Sequence, residues 1–95
     1  MPVVFAEIFG MYFYFWSNEG NEPCHIHVGY RAYDKAGAKF WVDPIEGVQV
    51  ASKGNLKAHD LNRARKFAQD NVDHIVSQWY AFQARKQDVK KMELR

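Results

Sequence analysis

At 95 residues the chain has room for one domain and one core, not for separate cofactor and substrate domains. Hydrophobic residues make up 47% and charged residues 25%, a globular balance, while an aromatic share of 16% calls for a large core or a partner-facing surface. The single cysteine, Cys24, excludes an internal disulfide, and the net charge is only +2.

Residues 3–9, VVFAEIF, are rich in Val, Ile and Phe and read as a strand, with Gly10 turning the chain. Residues 11–16, MYFYFW, form a second strand with bulky side chains on both faces. Such a strand is normally covered on both sides, because an exposed one invites aggregation. The expected covers are the protein's own helices on one face and a partner chain on the other. After the loop SNEGNEPC comes HIHVGY, a third strand. Period-two alternation puts Ile26, Val28 and Tyr30 on one face and His25, His27 and Gly29 on the other. A polar turn around YDKAG leads to a fourth strand, AKFWV, which Pro44 ends, and GVQVAS is expected as a short fifth.

The remaining residues change period. Leu61, Ala64, Ala68, Val72, Ile75, Val76, Trp79 and Phe82 recur at steps of three and four, one apolar stripe along a helix. Asn71 can cap a second helix, so the pattern allows two helices or one kinked at residue 70. The helices are expected over about 57–85, and the tail 86–95, with little periodicity, is expected to fray. Strands followed by helices predict an α+β fold: an antiparallel sheet of four to five strands with one or two C-terminal helices on one face. Residues 1–56 hold four Lys/Arg and six Asp/Glu (−2), whereas residues 57–95 hold nine and five (+4). The basic half could meet an acidic partner or a nucleic acid, but +4 falls short of a strong nucleic-acid footprint, and the half reads as a solvated helix surface. No targeting, lipidation or membrane signal stands out, and with one cysteine the chain reads as a cytoplasmic protein.

The histidine face carries the candidate chemistry. A five-residue connection, 33–37, would pair Tyr30 with Phe40 and Val28 with Val42, matching apolar residues. His27 then lies opposite Asp43, Gly29 opposite Trp41, and Arg31 opposite Lys39. The face so built holds His25, His27, Lys39, Trp41 and Asp43. The second strand adds either Tyr12, Tyr14 and Trp16 or Met11, Phe13 and Phe15, and Glu19 and Glu22 stand at its edge. Three readings fit. Two imidazoles can act as base and acid in one turnover, with Asp43 orienting His27 and Lys39 stabilising an anion. The same set, beside rings that suit stacked bases, is what a metal-free ribonuclease needs, with Tyr14, Trp16, Trp41, Glu19 and Glu22 as binding residues. Histidines at i and i+2 can also share an ion, with Asp43, Glu22 or Cys24 as third ligand, but no second spaced pair supports a metal, and no cofactor is expected. The third reading is that His25 and His27 are simply polar residues on a face that is wet or covered by a partner, the latter an interaction module without catalysis.

An aromatic strand, then SNEGNEPCHIHV, AKFWVDPIE and a helix pair ending in DHIVSQWYAF, resembles the "domain of unknown function 4160" family of small prokaryotic proteins over roughly residues 2–82. The matching positions are Asn18, Glu19, Pro23, His25, His27, Phe40, Trp41, Asp43 and Pro44. Cys24 stands where the family usually has a second proline. The resemblance implies a neighbour of the "domain of unknown function 2442" type. It also implies a type II toxin–antitoxin pair in which this chain is the toxin side. A small antitoxin-like partner is therefore expected, with RNA as a further candidate partner, no membrane, and homo- or hetero-oligomers.

Overall fold

The structure, a computed structural model, describes residues 3–16 and 22–93, with side chains described over 4–16 and 22–83. Five strands come first: β1 (Val3–Ile8), β2 (Met11–Phe15), β3 (His25–Gly29), β4 (Ala38–Asp43) and β5 (Gly47–Ser52). Two helices follow, α1 (Ala58–Asp70) and α2 (Val72–Glu93). The sheet is an antiparallel meander in the order β1-β2-β3-β4-β5. This is the α+β arrangement that the change of period predicts.

Two of the hairpin turns have a local cause. Phe9 and Gly10 both take left-handed backbone, φ 59° and 73°. A two-residue hairpin turn needs that twist, and glycine meets it without cost. Phe9 meets it under strain, and its exposed ring lies under the Arg63 guanidinium, 5.2 Å away. Asp43 closes the β4–β5 turn, its Oδ1 accepting from the backbone N–H groups of Ile45 and Glu46 at 2.8 and 2.7 Å.

The inner face of the sheet carries Met11, Phe13, Phe15, Ile26, Val28, Phe40 and Val42, all buried. Ala64 and Ala68 let α1 approach this face, and Phe67 meets Phe13 with ring centroids 4.9 Å apart. Helix α2 adds Ile75, Trp79 and Phe82, the last stacked on Phe15 at 5.9 Å. Burying rings of this size, each worth about 1.5–3 kcal/mol, supplies much of what holds the helices down.

The helix boundary resolves into two helices. Asn71 leaves helical geometry at φ −125°, its amide Nδ2 donates to the Phe67 carbonyl at 2.8 Å, and its own carbonyl accepts from Ile75 N–H at 2.9 Å. One residue thus ends α1 and starts α2. Helix α1 has no side-chain cap at Lys57; instead the Tyr30 hydroxyl accepts from Lys57 N–H (2.9 Å) and donates to Asp60 Oδ2 (2.6 Å). Helix α2 continues to Glu93, past the expected end near 85, so its backbone stays helical through most of the segment expected to fray.

The β3–β4 register corrects the expected one. Phe40 pairs with Ile26, not Tyr30, and Trp41 with His25, not Gly29. His27 pairs with Lys39, not Asp43, and Val28 with Ala38. The connection is longer because Tyr30 leaves the ladder to hold the start of α1. Asp34 then turns inward, its Oδ1 accepting from Ala36 N–H at 2.9 Å. A slip of four residues, an even number, leaves every side chain on its expected face.

Candidate functional site

The outer face of β2, β3 and β4 collects the residues that alternation assigned to it. Of the two sets open for β2, the structure selects Tyr12, Tyr14 and Trp16: Tyr14 pairs with His27 and Tyr12 with Gly29. Met11, Phe13 and Phe15 belong to the core. The His27 ring stacks on Tyr14, centroids 5.7 Å apart and 17° from parallel, and meets Trp16 edge-on at 6.3 Å.

His25 differs from His27. It is 1% exposed, enclosed by Trp41 at 5.6 Å and Trp79 at 6.2 Å, and meets His27 edge-on at 5.2 Å. Its Nδ1 lies 2.7 Å from the Pro23 carbonyl oxygen, a contact in which the ring nitrogen donates. Trp79, read from sequence as a packing residue, is buried and does pack, against this histidine.

Lys39 reaches across the face. Its ammonium forms an ion pair with Glu22 and stands 4.4 Å over the Trp41 ring. Glu22, Lys39, His27 and Trp41 are therefore neighbours, as the composition of the face predicts. Asp43 is not among them in the expected way. It sits at the end of β4 opposite Gly47 of β5, exposed, with its Oδ1 engaged in the turn. The N–H groups of Glu46 and then Ile45 hold its carboxyl below the usual carboxylate range. It cannot orient His27, which has Lys39 opposite it. Glu19 and Asn18 lie outside the described residues.

Cys24 is buried. Burial, with the Asp43 charge as a second cause, pushes its thiol up from 9.0 to about 12, so it is a poor thiolate at neutral pH. Among the described residues no three His, Cys, Asp or Glu side chains converge to hold a metal ion. Among them, too, no helix is long and apolar enough to cross a membrane. His59 and His74 are exposed, although the His74 ring also lies 5.2 Å from Phe5.

Two residues that pack on this face, Asp34 and Tyr33, escaped the reading of the sequence. The Tyr14 hydroxyl donates to the Asp34 carbonyl, and burial raises the Tyr14 phenol from 10.0 to about 12, helped by the Asp34 charge. Gly29 makes room for this contact, since a Cβ there would stand 2.7 Å from the Asp34 Cβ. Tyr33, at φ 63° and 43% exposed, folds back over the strands to meet Tyr14 at 6.2 Å and Trp16 at 6.3 Å. The only sequence signal was the cluster YDKAG, which announces a turn without saying which way it folds.

No curated protein and no solved structure matches the chain. Residues 10–80, from the β1–β2 turn to Tyr80 and so including the whole outer face, match the model of the family described as Domain of unknown function (DUF4160). That span takes in most of the sequence, and the chain belongs to the DUF4160 family.

Proposed function

We propose that this chain is a partner-held component, on the toxin side, of a cytoplasmic two-protein system of the toxin–antitoxin kind, and that its histidine face is the contact. The observation that carries the reading is the outer face of the sheet, where half-buried Trp16 and His27 are in ring contact with each other and with the buried Tyr14 beneath them, and half-buried Trp41 lies under the Lys39 ammonium. Large rings with polar tips are enriched where one protein meets another. The chemistry favours holding over cutting. Only His27 of the two imidazoles reaches the surface, the Lys39 charge is engaged by Glu22, and the Asp43 Oδ1 is committed to its turn.

The test is co-expression with the neighbouring gene's product, a small protein of the domain of unknown function 2442 type. Co-elution is expected, weakened by Trp41→Ala with His27→Ala while circular dichroism stays unchanged. Expression of the chain alone is expected to slow growth, and the partner to restore it. Normal growth with soluble, folded protein and no co-elution removes the reading. Cleavage of total RNA by the pure chain, with and without chelator, would move it to a ribonuclease.

A further inference from the structure

One end of the sheet gathers cations. At the end formed by the β3–β4 connection and the β5–α1 turn stand Arg31, Lys35, Lys53 and Lys57, all exposed. The two turns abut: Asn55 N–H donates to the Ala36 carbonyl at 2.9 Å, and a Cβ on Gly54 would lie 2.3 Å from the Gly37 carbonyl oxygen. The two carboxylates beside these turns, Asp34 and Asp60, are engaged. Asp34 is turned inward on Ala36 N–H, and Asp60 accepts from the Tyr30 hydroxyl. The Arg31 side chain is 83% exposed and touches Asp34 only at 4.0 Å.

Residues 31–36 line an open concavity of about 470 Å³ that holds Arg31, Lys35 and Tyr33 together. Tyr33 occupies left-handed backbone that glycine would take without strain, and the local structure holds it there. Its ring is thereby set at the junction between the cations and the ring layer of Tyr14 and Trp16. Cations that grip a backbone, beside rings that accept a flat base, are the two elements of single-strand recognition.

We infer that the 31–36 loop is a contact site for single-stranded RNA, with Arg31 and Lys35 on phosphates and a base stacked on Tyr33. Unpaired bases are required, because a ring can stack only on a base that is free of its duplex. The inference goes beyond the proposed partner contact and does not need it, since the chain alone is the binding species.

The experiment is fluorescence anisotropy of the full chain with a short fluorescein-labelled oligouridylate over a salt series. Arg31→Ala with Lys35→Ala is expected to weaken binding about tenfold or more. It should also reduce the slope of log affinity against log salt by about 1.4, since each single-strand phosphate contact contributes about 0.7. Tyr33→Gly removes the ring in a residue suited to the backbone and is expected to cost about tenfold, whereas Tyr33→Trp retains binding. Circular dichroism confirms that each variant is folded. Three results overturn the inference: no binding by the folded chain, equal binding of a duplex of the same length, or affinity that these variants leave unchanged. The first assigns the cationic rim to an acidic protein surface instead.

Discussion

The two faces of the sheet are made by the same strands and follow different rules. The inner face is Met11, Phe13, Phe15, Ile26, Val28, Phe40 and Val42, where volume decides everything. The outer face is Tyr14, Trp16, His27, Lys39 and Trp41, where rings meet edge-on or stacked and polar atoms find named partners. One residue separates the two at every step along a strand. The difference teaches that parity assigns a residue to the apolar core or to the face of rings and polar contacts, while on the outer face burial, as at Tyr14 and His25, decides which residues also hold the fold.

The strongest test of that contrast is Phe40→Ala, which empties the centre of the inner face. A loss of about 3–5 kcal/mol is expected in urea unfolding, a large part of a typical domain's stability. Trp41→Ala, next along the chain but on the other face, is expected to cost much less. Equal losses would abolish the distinction. Gly29→Ala comes next: its new methyl meets the Asp34 Cβ at 2.7 Å, so the 31–37 connection must shift, for about 1–3 kcal/mol. A Tm unchanged by this substitution would show that the connection does not depend on a close seat.

Tyr14→Phe removes one buried hydrogen bond, for about 1 kcal/mol. It also sharpens a pH dependence. The folded Tyr14 phenol titrates near 12 against 10.0 in its ordinary state, and the Cys24 thiol near 12 against 9.0. Both are raised, so the unfolded chain releases these protons first. The stability they contribute is present below about pH 9 and is lost as pH rises from 9–10 towards 12. Alkaline melting curves should fall over that window, and Tyr14→Phe should flatten the part above pH 10. The smallest effect belongs to Ile45→Ser at the β4–β5 turn, 92% exposed, where a change within about 0.5 kcal/mol is expected by thermal melting.

Much of this was legible in the residues themselves. Alternation in MYFYFW and HIHVGY assigns the faces, and the three-and-four spacing from Leu61 to Phe82 gives the helical stripe. Register was not legible, because registers that differ by an even number keep the same faces together. Matching apolar partners chose Tyr30 for Phe40, but Tyr30 serves the start of α1 through its hydroxyl. The role of Asp43 failed for a related reason: a carboxylate beside a histidine strand looks like an orienting group, yet Asp-Pro also begins turns, and the turn won. Asp34 and Tyr33 depend on how a connection folds back, which no period encodes.

The order of the strands in the sheet has a consequence in time. Every strand pairs with its sequence neighbour, so on a ribosome each hairpin can close as soon as its second strand emerges, with no strand waiting for a distant one. The helices that cover the inner face come last. Until residues 58–83 have left the exit tunnel, a finished sheet would present Phe13, Phe15 and Phe40 to solvent. The hazardous moment in the making of this protein therefore falls between the fifth strand and the second helix.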